Sequence, residues 1–475
     1  MSAATRRDAS GRLRWRDRDH TRGSLITSLL VLALPLLGTN LAGAVVFQIV
    51  DIAFLSQLGD GPLAAVTIVN QTVWQIVLMF MMGGTFAAQA LVAGAVGAGD
   101  LPRAERTAAQ CLLVGAGVAA IVAVAGLLFA EPLFALTGAE ARFAVYGVPY
   151  LRWLLVLAFG LIGAMLFRSI LIGAGDTTTG LLVTLAQTPI ALFTEWVLLF
   201  GRLGFPALGT RGAAIGVATG QIFALAVGMR VLFRGRSRIR LHVRALRPDR
   251  HLLGAIVRLS WPPALQMIGM VVTTFVYLRL THDFGAAVQA AYSIGLRIGM
   301  IVPLVSFPLA SASATLVGQA LGAGDVPRAW RAVGTGILVH GGLLWTASSV
   351  LVFFRADLLG AVSQDPEVIR AGSEYLLFLG GSFAIMGVQL VVMRCLQGAG
   401  DFYVPMAISL GGSLLVGLPL AYLSVHATGL GPTGLWTANL VSGFLTAAAT
   451  LAWLATGRWT ARAAPPRVDG PGASR

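Results

Sequence analysis

The chain contains no lysine: all 34 of its basic residues are arginine. Charged residues fill only 11% of its 475 positions, against roughly 25% in a soluble globular protein. The 20 acidic residues and six histidines form no metal constellation, and no Ser-His-Asp set or nucleotide loop can be assembled. An enzyme is therefore not expected. The two cysteines, Cys111 and Cys395, both fall in apolar stretches, which fits small buried side chains and excludes a disulfide framework or a metal site.

What is abundant is apolar sequence, 56% of the chain, with a mean hydropathy of +0.80. Apolar runs of about 18 residues or more recur along its whole length, the signature of membrane-spanning helices. Helices satisfy their own backbone in lipid, whereas a β-barrel would show short alternating segments. The expected fold is an all-α polytopic membrane protein of about twelve spans, near 24–57, 62–94, 107–129, 142–172, 178–200, 211–234, 252–281, 286–320, 332–354, 367–396, 403–426 and 432–456. Pro35, Pro262, Pro263, Pro303 and Pro308 are the expected kinks. The polar, Arg-rich residues 1–23 precede an apolar stretch too long for a signal-peptide core, read as an uncleaved first span.

Arginine also sets the expected orientation. It clusters in 1–23, in 234–251, in the turns after spans two and eight, and in the tail 457–475. All of these fall on one side of a twelve-span chain, so both termini are expected in the cytoplasm of a bacterial cell, with the chain in its inner membrane. The net charge of +14 is then topogenic, and no nucleic-acid partner is implied. The expected partners are the lipid bilayer and a small-molecule substrate, with the chain acting as a monomer and without cofactor.

The chain repeats itself. Gly-Ala-Gly-Asp occurs at 97–100, 173–176, 322–325 and 398–401, so the first and third copies, and the second and fourth, are 225 residues apart. LVAGAVGAGDLPRAER at 91–106 mirrors LVGQALGAGDVPRAWR at 316–331. Two six-span halves follow, 24–233 and 252–456, joined by the basic segment 234–251. An even span number gives them the same orientation, so a pseudo-two-fold axis along the membrane normal is expected. The Gly-Ala-Gly-Asp copies lack the lysine of a phosphate loop. They read instead as helix punctuation, with glycine ending one helix and Asp100 or Asp325 starting the next.

The stretch LALPLLGTNLAGAVVFQIVDIAFLSQLG at 32–59, the four turns, TEWVLLFG at 194–201 and GTRGAAIG at 209–216 together resemble the multidrug and toxic compound extrusion (MATE) family, particularly its DinF-like branch. The resemblance covers roughly residues 25–455. It implies two six-helix lobes around a cleft that opens alternately to either side, exporting substrates in exchange for inward H⁺ or Na⁺.

Acidic residues inside spans are costly and mark function by default. Two stand out, Asp51 in span one and Glu195 in span five, each about six residues from the outer end of its span. Two neighbouring carboxylates in low dielectric resist double ionisation, so such a pair can hold a proton. The resemblance matches Asp51 to the family's span-one cation-binding aspartate and Glu195 to a span-five acid. Ala191 stands where that family usually has an asparagine one turn earlier. A hard cation wants several oxygens, so the missing amide favours H⁺ over Na⁺, unless Gln187, Thr188 or Thr194 supply them. Tyr277 and Gly417 occupy the repeat positions of the two acids, which confines coupling to the N-terminal half.

Asn40, Asn70, Gln71, Gln75, Gln266, Tyr277 and Arg297 are further candidates to line a polar cleft. Arg168 and Arg394 are expected to snorkel from equivalent cytoplasmic ends. The function expected is secondary efflux of amphipathic, including cationic, small molecules. The alternative is a flippase or exporter of a lipid-linked or anionic precursor, which a cleft dominated by cations such as Arg297 would favour.

Overall fold

The computed structural model describes residues 20–235, 237–427 and 429–462. Helices dominate it, and among the described residues no strand forms. Eleven helices are long and apolar enough to cross a membrane. In the first half these are span one (Leu25–Ser56), span two (Asp60–Gly97), span three (Leu101–Ala135), span five (Thr177–Phe200) and span six (Thr210–Phe233). The second half supplies span seven (Arg250–Phe284), span eight (Ala286–Gly322), span nine (Val326–Phe353), span ten (Pro366–Gly398), span eleven (Tyr403–His426) and span twelve (Gly431–Ala455). Span four is a pair, Ala141–Val156 and Ala158–Ala174, bent by 49° at Leu157. Counted as one crossing it completes twelve, and the chain is a multi-pass membrane protein.

The turns between spans obey the punctuation expected of Gly-Ala-Gly-Asp. Gly99, Gly175, Gly324 and Gly400 all take left-handed backbone, with φ between 72° and 84°, where a side chain would strain the turn. Asp100 and Asp325 then accept the backbone N–H of Arg103 and Arg328, and Asp176 does the same for Thr179. Each is an N-cap that satisfies a free donor of the following helix. These four turns form no phosphate loop.

One expected kink coincides with a break in the helices, the one at Pro303. The chain stays helical through Pro35, Pro262, Pro263 and Pro308. Breaks fall at Phe129, Leu157 and Met300. Phe129 lies three residues before Pro132 and Met300 three before Pro303, because a proline disturbs the turn on its N-terminal side. Wide π turns interrupt spans one, two, nine and eleven, at Leu41–Val46, Asn70–Trp74, Ile337–Gly341 and Gly411–Gly417.

The described chain divides into two compact units. The first takes in Val31–Val92 and Asp100–Ala264, and the second His20–Leu30, Ala93–Gly99 and the chain from Leu265 onward. In the first, Leu55, Val69, Tyr150, Leu151, Leu199 and Ala213 share one apolar core. A second core joins Met81, Cys111, Ile162, Leu166 and Ile256. In the second unit, Tyr277, Tyr292, Tyr375, Phe383 and Trp436 pack together, with the Tyr375 and Trp436 rings 4.4 Å apart.

Candidate ion-coupling site

Span six carries Gly212, Gly216 and Gly220 at four-residue spacing, which puts them on one face of the helix. That bare stripe lets its backbone press against span five, as small residues do between membrane helices. A Cβ on Gly216 would lie 2.5 Å from Cα and Cβ of Glu195, and one on Gly220 would lie 2.5 Å from the Cβ of Ala191. Glu195 is thereby held at a helix crossing, and it is fully buried.

Facing it is Asp51, half-buried on the helical stretch Phe47–Ser56 that follows the π turn of span one. The two carboxyls lie close enough to influence each other. Neither oxygen of Glu195 finds a hydrogen-bond partner among the described residues. Span four contributes Tyr150, 3% exposed, whose hydroxyl lies near both acids and donates to Oδ1 of Asn70 at 3.0 Å. Asn70 opens the π turn of span two, a distortion that recurs at functional sites. Four spans thus converge on Asp51, Glu195, Asn70 and Tyr150. A buried carboxyl without donors cannot stay ionised cheaply, so this arrangement can hold a proton between two acids or a cation against them.

The other candidates lie elsewhere. Gln187, two turns before Glu195, accepts from Nη1 of Arg168 at 3.2 Å. Thr188 turns its hydroxyl back to the carbonyl of Thr184 at 3.0 Å, and Thr194 is half-buried. Asn40 is half-buried just before the π turn of span one, while Gln71 and Gln75 are exposed. Gln266, Tyr277 and Arg297 belong to the second unit. Gln266 bonds Met393 and Gln397, Tyr277 is 3% exposed within the aromatic core, and Arg297 is exposed without a side-chain partner among the described residues.

Arg394 does not snorkel. It is 3% exposed and donates to Oε1 of Gln397 at 2.8 Å, because buried amides offer its guanidinium acceptors that water would otherwise supply. Arg168 is half-buried, with Nη1 donating to Gln187. Sequence reasoning missed Tyr150. Its signal was the repeat, for Tyr375 stands 225 residues further on. Among the described residues no group of three or more His, Cys, Asp or Glu side chains is placed to hold a metal ion.

The family model MatE matches residues 35–197 and 262–423. A probable multidrug resistance protein NorM from Burkholderia mallei is 31% identical over 435 residues, covering 89% of this chain and 90% of the relative. Its namesake from Thermotoga maritima is 23% identical, covering 92% and 93%. Among solved structures, a MATE protein in the bent conformation superposes with a TM-score of 0.84 at 20% identity, covering 93% of this chain and 97% of the other. A transporter of the MOP superfamily from Pyrococcus furiosus superposes at 0.82 with the same identity. With the family model matching well over half of the chain, and a helical multi-pass fold to match, this protein belongs to the MatE family of membrane transporters and is not an enzyme.

Proposed function

We propose that the chain is an antiporter that exports amphipathic, including cationic, small molecules by alternating access, driven by protons entering through Asp51 and Glu195. The relatives named multidrug resistance protein support the substrate class. The observation that carries the coupling site is Glu195, fully buried opposite Asp51 with no hydrogen-bond partner among the described residues. Half-buried Asp51 is the member an ion reaches first, with Glu195 behind it.

The oxygen inventory supports H⁺ over Na⁺. A hard cation gathers several oxygens, yet Gln187 is engaged by Arg168, Thr188 by its own helix, and Asn70 by Tyr150. A proton needs only the two carboxyls. The span-one and span-five motifs support a place in the DinF-like branch. The arginine distribution favours an inner-membrane protein with both termini cytoplasmic. A second reading, flipping of a lipid-linked or anionic precursor, draws on Arg297, exposed and without a side-chain partner among the described residues.

The test is uptake of a fluorescent cationic dye into inside-out liposomes, under a pH gradient or a Na⁺ gradient applied separately. Wild type should respond to the pH gradient, and Asp51→Asn and Glu195→Gln should not. Uptake driven by Na⁺ alone would overturn the ion assignment. Folded protein that moves no dye under either gradient, but moves an anionic lipid precursor, would favour the second reading.

A further inference from the structure

Two hollows of the first unit lie end to end along the same pair of helices, and transport as proposed uses neither. The first, of about 1000 Å³, sits where span three begins and the segment between the halves runs into span seven. Its wall is firmly built. Gln110, 1% exposed, donates to the carbonyls of Ala245 and Arg247 at 3.0 and 2.8 Å and accepts the Asp249 N–H at 3.1 Å. Both acids of the hollow are committed. Glu105 accepts from the backbone of His242 at 2.6 Å and meets its ring Nδ1 at the same distance. Asp249 accepts the N–H groups of His251 and Leu252 at the start of span seven. Arg106, Arg244, Arg247 and Arg250 remain exposed around the hollow, without side-chain partners among the described residues.

The second hollow, of about 320 Å³, occupies the next turns of the same two helices, from Cys111 to Val122 and from Ile256 to Ala264, with Phe80 and Gly84 of span two. Its lining is almost wholly apolar, for Ser260 turns its hydroxyl back to the carbonyl of Ile256 at 2.7 Å. Trp261, Phe80 and Val257 are 45%, 53% and 56% exposed. Gly84 leaves the slot open, since a Cβ there would meet only Oγ of Ser260, at 3.9 Å.

We propose that the two hollows together bind one anionic phospholipid of the cytoplasmic leaflet. The four arginines take the phosphodiester, and the apolar slot takes part of an acyl chain. Basic clusters beside a span attract anionic lipid; the slot on the next turns supplies what a free phosphate or nucleotide could not use. The proposal rests on the orientation given above, which puts the basic hollow at the cytoplasmic surface.

The full-length protein in detergent is titrated with phosphatidylglycerol, phosphatidylcholine or inorganic phosphate, with native mass spectrometry counting bound lipid. One phosphatidylglycerol should be retained, phosphatidylcholine should bind far more weakly, and phosphate should not displace the lipid. Arg244→Gln combined with Arg247→Gln should weaken phosphatidylglycerol about thirty-fold. Gly84→Leu should plug the slot and weaken it about five-fold or more. Val257→Trp, at an exposed position, serves the same end if the glycine variant does not fold. Equal retention of phosphatidylcholine overturns the proposal, as does displacement by phosphate or by the transported dye. Folded plug variants with wild-type affinity overturn it too, because charge alone would then account for binding.

Discussion

Replacing Gly216 by alanine adds one methyl group where span six crosses span five. Its Cβ falls 2.5 Å from Cα and Cβ of Glu195 and 2.7 Å from the backbone nitrogen of that residue. Ordinary Cβ contacts begin at 3.4 Å, so the helices must part by about 0.9 Å, the difference between 3.4 and 2.5 Å. The obstacle is largely backbone, which cannot swing aside as a side-chain end can. Overpacking of this kind costs about 1–3 kcal/mol. Displacing a positioned group by about 1 Å can cost on the order of a hundredfold in rate. Melting temperature, read by size exclusion after heating, should therefore fall, and dye transport driven by a pH gradient should drop about ten-fold or more. Gly117→Ala on span three is the control, because its Cβ would meet nothing within 4 Å. There the gain in helix propensity should stabilise by about 1 kcal/mol or less and leave transport unchanged. Gly212→Ala, whose Cβ would lie 2.6 Å from the carbonyl of Leu198, should lose similar stability but less transport. Wild-type transport and melting in Gly216→Ala, with Glu195→Gln inactive, would refute the idea that this crossing positions the carboxyl.

Tyr150→Phe removes the hydroxyl that donates to Asn70 and should cost about 1 kcal/mol of stability. In the same dye assay it should slow transport severalfold while sparing the response to the pH gradient. Arg394→Ala strips Gln397 of a buried donor and should destabilise by about 2–3 kcal/mol. Combining it with Gln397→Ala should cost less than the two single changes added together, as a double-mutant cycle in thermal unfolding would reveal.

Much of the fold was legible because each span is a long apolar run, and lipid forces such runs into helices. Asp51 and Glu195 were legible for the opposite reason, since acids are so rare inside the spans that any one stands out. Their convergence could be argued from depth alone, each being about six residues from an outer end. Tyr150 was not legible, because a tyrosine in a span reads equally as core or as interface. The burial of Arg394 escaped too, since its acceptor Gln397 links onward to Gln266 on another helix, a contact no local pattern encodes. The π turns at Leu41–Val46 and Asn70–Trp74 carry no proline, and only packing defines them.

The repeat shows how one scaffold position serves two chemistries. Asp51 corresponds to Tyr277, Tyr150 to Tyr375 and Asn70 to Leu296. In the first unit the tyrosine hydroxyl donates to the Asn70 side chain. In the second an apolar leucine stands at the Asn70 position, and the Tyr375 ring packs against Gly295, whose Cβ would lie 2.0 Å from it. Tyr277 is left buried with a hydroxyl that bonds nothing among the described residues, and Gly417 at the Glu195 position offers no carboxyl. An unsatisfied buried hydroxyl costs about 1–3 kcal/mol, so Tyr277→Phe should hold or raise the melting temperature and leave ion coupling intact. Tyr277→Asp should instead place a carboxyl among Tyr292, Tyr375 and Trp436 with no partner, lowering the yield of folded protein without creating a second coupling site. A drop in transport in folded Tyr277→Phe would mean that the hydroxyl serves the transport cycle, and that the second half is more than an aromatic core.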